Sequence, residues 1–217
     1  MTEGRQPVVI VGAGGFGREV LDVIEAADAV SPSLRMVGFI DDNARHRRIL
    51  AARGAELLDG FHDLRASGAR YVVAVADPGA RRKLVLRAEE AGLLPADVWH
   101  PSATAGAVNT IGEGVVVCSH VSITTNIAIG RHAHLNLNTT VGHDCTFDDF
   151  VTVNPGANIS GSVQLGHGVT VGTGAVIIQG VTVGEGTMVG AGAIVTRDLP
   201  AQVVAMGAPA RPVRSLA

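Results

Sequence analysis

From residue 111 to residue 194 the chain keeps a period of six, and that period dictates the fold of its second half. The segment parses without a gap as IGEGVV, VCSHVS, ITTNIA, IGRHAH, LNLNTT, VGHDCT, FDDFVT, VNPGAN, ISGSVQ, LGHGVT, VGTGAV, IIQGVT, VGEGTM and VGAGAI. All 14 hexads open on an aliphatic residue or Phe147, and the fifth position is small or β-branched in each, from Val115 through Cys145 to Ala193. A unit this short cannot bury an apolar face alone, so successive units must stack. That is a parallel β-helix. The composition agrees: 47% of residues are hydrophobic but only 3% aromatic, with 28 glycines, as thin layers of Val, Ile, Leu and Ala would require.

Residues 1–98 follow a different grammar, and the expected division is residues 1–98 and 99–217. PVVIVGAG reads as a buried strand and GREVLDVIEAAD as a helix with Val20, Leu21 and Ile24 on one face. RMVGFIDD is a second strand, DGFHDLRASG a weaker helical region, and YVVAVAD a third strand. PGARRKLVLRAEEAG is a helix opening near Pro78 and closing at Gly92. Strands alternating with helices imply a small parallel sheet, a Rossmann-like α/β domain.

A net charge of −3 with both signs scattered excludes a nucleic-acid or polybasic membrane binder. Cys118 and Cys145 lie in apolar repeats without metal-ligand spacing, which points to a reduced, cytoplasmic protein. No apolar run approaches the ~18 residues of a membrane span, and the start of the chain has no signal-peptide pattern.

The hexads resemble the left-handed β-helix of hexapeptide-repeat acyltransferases, in which three hexads make one triangular coil. Residues eighteen apart then stack, placing Asn136 below Asn154 and His143 below Gly161. The third position of a hexad falls at a turn, so His143 is expected to project outward with bare backbone one coil above. Asp144 follows it immediately; a carboxylate on one ring nitrogen fixes the tautomer and raises the basicity of the other. Taken singly, histidines at such turns are solvated surface residues, and Cys145, facing inward, reads as core. Some trimeric left-handed β-helices bind zinc through three histidines and hydrate carbon dioxide. Here no histidine pair is four or five apart, and no metal is expected.

Beyond the repeat, VVIVGAGGFGREV, GFIDD, VAVADPGARRKL, HPSA, NLNTTVGHDC, NPGANISG and the ending VVAMGAPAR occur in order along the chain. In these segments the chain resembles bacterial nucleotide-sugar acetyltransferases of the sialic-acid O-acetyltransferase-like and bacillosamine-pathway family. The resemblance implies an N-terminal domain that grips a nucleotide sugar, and a β-helix that binds acetyl-CoA in a groove between subunits of a homotrimer. It implies His143 as general base, oriented by Asp144, and the Gly161 N–H on the acetyl carbonyl, with Thr152 and Asn154 beside the coenzyme. The acceptor is expected to be an amine rather than a hydroxyl.

GAGGFG, between a strand and a helix, fits GxGxxG with Asp41 about twenty-five residues on. Glycines there let the backbone approach a pyrophosphate at a helix N-terminus. By itself the motif favours NAD; joined to an acyltransferase β-helix it favours a nucleotide sugar, held by Gly12, Gly14, Gly15, Phe16, Gly17, Asp41, Asp42 and Asp77. The family often has His where Phe16 stands and Asn in place of Asp77–Pro78. A trimeric scaffold that binds sugar nucleotide without catalysis is the rival reading.

Overall fold

The computed structural model describes residues 5–61 and 64–217. The chain forms two compact units that divide between Pro101 and Ser102. In the first, elements follow in the order β1 (Gln6–Val11), α1 (Gly15–Val30), β2 (Leu34–Ile40), α2 (His46–Ala51), β3 (Leu57–Leu58), β4 (Arg70–Val73), α3 (Pro78–Glu90) and β5 (Leu94–Pro95). The strands are all parallel in the order β3-β2-β1-β4-β5. Val8, Val9 and Ile10 in β1 and Tyr71 and Val72 in β4 are wholly buried, which is why both runs are continuously apolar rather than alternating. The expected stripe of α1, Val20, Leu21 and Ile24, is its buried face, widened by Gly17 and Val23. In α3, Pro78 occupies the first turn and the Asp77 carboxylate caps it by accepting the Ala80 N–H at 2.7 Å.

Two local expectations change. The described part of residues 59–68 forms turns rather than a helix; His62 and Asp63 lie outside the described residues. The short helix α2 was not expected. It buries only Leu50, too little for a helical period to register in the sequence.

The second unit is the left-handed parallel β-helix. Its rungs are two-residue strands joining the last residue of one hexad to the first of the next. Thr104–Ala105, Ser122–Ile123, Thr140–Val141, Asn158–Ile159, Val176–Ile177 and Ile194–Val195 pair in parallel, each eighteen residues from the last. Two further ladders run through Thr146–Phe147 and through Thr152–Val153 with the same offset. Three hexads therefore make one coil, and the coils begin one turn before the sequence period becomes regular. Fifth positions all point inward and are buried, Ala133, Thr139, Val163 and Ala175 completely. Every sixth residue from Val108 to Gly192 has φ between 55 and 78°, turning each corner in the left-handed region. Glycine, Asn, Asp, His and Ser fill most of these fourth positions, residues that tolerate that region best. The chain ends in an antiparallel hairpin, Val203–Gly207 with Ala210–Ser215, with Ala208–Pro209 cis at its turn.

Candidate active site

His143 stands at the third position of its hexad, on a corner between two of the ladders, with half its side chain exposed. Asp144, at the left-handed fourth position (φ 60°), turns its carboxylate back so that Oδ2 lies 2.7 Å from His143 Nδ1. An ionised carboxylate only accepts, so Nδ1 carries a proton, and in the neutral ring Nε2 is the nitrogen with the lone pair. The other oxygen, Oδ1, accepts a hydrogen bond from the Asn126 amide at 2.5 Å. That bond first, then the one to His143, holds the Asp144 carboxyl below its ordinary pKa. It stays charged throughout the neutral range.

Gly161 lies one coil above His143, as the eighteen-residue register requires. A Cβ on Gly161 would stand 2.5 Å from His143 Cε1 and 2.6 Å from Nε2, so the imidazole occupies the space of the missing side chain. Coil-to-coil hydrogen bonds are donated by second, fourth and sixth positions. Among the described residues, no third-position N–H is donated to a backbone carbonyl: at 131 it goes to the Asp149 carboxylate, and 155 is a proline. The Gly161 N–H is thus left over by the fold beside Nε2. A lone-pair nitrogen on an exposed side chain and a spare amide donor on the buried glycine above it can deprotonate a nucleophile and receive an oxyanion.

The neighbours expected at a coenzyme behave differently. Asn136 and Asn154 do stack, and each donates its amide to the carbonyl one coil up, Val153 and Val171, both at 3.0 Å. Asn154 remains half-exposed. Thr152, by contrast, is buried to 1% exposure in its ladder between His134 and Thr170. Its side chain is closed to a coenzyme, a correction to the sequence reading. Cys145 is buried, its thiol bonded to the Ser160 carbonyl at 3.1 Å and its pKa raised by burial, which removes it as a nucleophile.

In the first unit, a cleft of about 480 Å³ opens where β1 and β4 part, the switch point at which open parallel sheets bind ligands. Gly12, Asp41, Asp42, Asn43, Leu84 and Arg87 are among its lining residues. The glycines divide into two kinds. Gly12 (φ +105°) sits against Val75 and Ala74, and a Cβ on Gly17 would collide with the Gly12 carbonyl, so helix and strand need both bare. Gly14 and Gly15 face open space, with nothing within 4 Å of a Cβ. The fold does not require them; a ligand approaching the start of α1 would. That helix has no side-chain cap and no acid in its first turn, and a helix N-terminus of this kind favours an anion.

Asp41 was expected at a base or ribose. Its oxygens instead accept the Ala13 N–H at 2.7 Å and the Asn43 N–H at 2.8 Å, fastening the glycine loop. Burial alone would raise its pKa, but those two bonds and His46, 3.3 Å away, outweigh it and hold the carboxyl low. Asp42 is exposed at the cleft with Arg87 3.9 Å away. Asp77 is occupied as the α3 cap, and Phe16, half-buried in the first turn of α1, is not among the cleft's lining residues. Asn43, Leu84 and Arg87 were missed in the sequence. The strand-end rule for such sheets could have suggested Asn43, whereas Leu84 and Arg87 lie well inside α3, where no sequence signal marks them.

A Rossmann-like unit followed by a hexapeptide β-helix, with a His–Asp pair beneath a bare corner, defines a hexapeptide-repeat acyltransferase. Residues 7–88 match the PglD N-terminal domain family. The GDP-perosamine N-acetyltransferase of Escherichia coli O157:H7 is 32% identical over 158 residues, 71% of this chain and 70% of that protein. PerB from Caulobacter crescentus, solved with CoA and GDP-perosamine, is 32% identical with a TM-score of 0.85 over 96% of this chain and 97% of its own. The acetyltransferase domain of PglB from Neisseria gonorrhoeae, solved with acetyl coenzyme A, is 30% identical with a TM-score of 0.87 over 97% and 100%. The chain belongs to the nucleotide-sugar N-acetyltransferases of the bacillosamine-pathway type.

Proposed function

We propose that this protein transfers the acetyl group of acetyl-CoA to an amino group on a nucleotide-linked sugar. The observation that carries this reading is the corner at His143, where a tautomer-fixed imidazole meets the spare N–H of Gly161. The sugar amine attacks the thioester carbonyl carbon, forming the C–N bond, while His143 Nε2 takes the proton from nitrogen. The carbonyl oxygen becomes an oxyanion that accepts from the Gly161 N–H. The C–S bond then breaks, the sulfur takes the proton from His143, and an amide and free CoA leave. General-base assistance contributes about 10²–10⁴-fold, and one oxyanion donor about 10²–10³-fold. No acyl-enzyme is needed.

The switch-point cleft and the start of α1 are assigned to the nucleotide sugar: the pyrophosphate against Gly14 and Gly15, the rest near Asp42, Asn43 and Arg87. Asp41 serves the same site by holding the loop. Asn154 is kept as a coenzyme contact. A homotrimer, with a coenzyme groove between neighbouring subunits, goes with this assignment and with the family. Among the described residues no helix is long and apolar enough to cross a membrane; two buried cysteines outside any disulfide and a CoA donor support a cytoplasmic enzyme.

The test is thiol release from acetyl-CoA in the presence of nucleotide-linked amino sugars, carried on guanosine and uridine diphosphates. Release that depends on the sugar supports the assignment. Silence across the panel, with acetyl-CoA also failing to bind, favours a sugar-nucleotide-binding scaffold.

A further inference from the structure

The His143–Asp144 pair is exposed, which leaves open what keeps it in register. In buried acid–histidine pairs the surrounding protein fixes the carboxylate. Here His143 and Asp144 have 52% and 48% of their side chains exposed, so water competes for both Asp144 oxygens and its χ angles are otherwise free. The eighteen-residue register puts Asn126 directly beneath Asp144. Both are fourth-position residues in the left-handed region, with φ of 57° and 60°. The Asn126 amide donates to Asp144 Oδ1 at 2.5 Å while Oδ2 holds the imidazole at 2.7 Å. The carboxylate is therefore gripped at both ends, from the coil below and from its own neighbour.

We infer that Asn126 is a positioning residue for acetyl transfer: by clamping Asp144 it fixes the tautomer and orientation of His143 at an exposed corner. This rests on the reaction assigned above. A purely local role for Asn126 is a real competitor, because asparagine suits a left-handed corner for its own sake. Asn138 occupies an equivalent corner, φ 57°. The electrostatics favour the clamp: the Asn126 bond is the first cause of the lowered Asp144 pKa.

Asn126→Gly separates the two roles, because glycine keeps the corner without strain and removes only the amide. Equivalent corners at Gly114, Gly156 and Gly168 already carry it. The clamp predicts an unchanged melting temperature and a kcat about 10-fold lower, with KM for both substrates held. It also predicts that Asn126→Gly costs nothing further in an Asp144→Ala background, since the amide acts only through that carboxylate. A merely structural Asn126 gives additive losses instead, and that result overturns the inference, as does wild-type kcat in the single variant. A second readout needs no turnover. In ¹⁵N spectra, with His143 assigned by its alanine variant, the ring is the Nδ1–H tautomer in the wild type and a mixture in Asn126→Gly. An unchanged tautomer in Asn126→Gly overturns the clamp even if the protein acetylates nothing. An inactive wild type with the tautomer shift intact places the failure in the assigned reaction instead.

Discussion

Gly161→Ala isolates the geometry of the corner with one methyl group. Gly161 does not have a positive φ, so alanine brings no backbone strain, and the whole effect is steric. The new Cβ would stand 2.5 Å from Cε1 and 2.6 Å from Nε2 of His143. Carbon contacts settle at about 3.5 Å or more, so the imidazole must retreat by about 1 Å. Because the ring is half-exposed, it can swing into solvent at a rotamer cost of about 0.5–1.5 kcal/mol. The fold is spared. The chemistry is not: displacing a reacting group by 1 Å costs about 10²-fold, or about 2.7 kcal/mol of transition-state stabilisation. Thiol release at saturating substrates, read beside a thermal melt, should show kcat down about 10²-fold with the melting temperature shifted little. A variant with wild-type kcat would mean that the ring's contact with Gly161 has no part in transfer. Loss of folding would mean that the bare corner serves the coil instead.

His143→Ala should lower kcat by at least ~10²-fold with the oligomer intact by light scattering; near-wild-type turnover would remove it from the mechanism. Gly14→Ala should leave stability unchanged and raise KM for the nucleotide sugar alone, while Gly17→Ala, driven into the Gly12 carbonyl, should cost several kcal/mol in denaturant melts. Asp41→Asn should lose about 1.5–3 kcal/mol at neutral pH, the worth of hydrogen bonds to a charged acceptor. The Asp41 pKa is depressed in the folded state, so its contribution is complete above the ordinary value of 3.8 and fades as pH falls below it. Urea melts of the wild type and Asp41→Asn should therefore converge in acid; a gap that persists there would show that the carboxylate charge is not what fastens the loop.

Much of this was legible because the β-helix is a one-dimensional repeat. The inward fifth position is buried in every hexad, so the core and inward Cys145 follow from counting, and the three-hexad coil implied by the family resemblance adds the stacking of His143 under Gly161. The same rule would have found Asn126 beneath Asp144, had it been applied one coil down. What counting missed depends on contacts the period does not encode. Thr152 holds a rung position whose equivalents Thr146 and Gln164 are exposed, yet it is buried. In the first unit, the backbone partners of Asp41 and Asp77 were hidden for another reason. An acid after a strand serves a ligand or its own backbone equally well, and only the distances to Ala13, Asn43 and Ala80 decide.

A crystal structure of the protein with CoA and a nucleotide-linked amino sugar measures the central assignment most directly. The expected result is the coenzyme sulfur at the corner of residues 143 and 161, with the sugar nitrogen within about 2.6–3.2 Å of His143 Nε2. A coenzyme seated on another corner, with that imidazole facing only water, would contradict it.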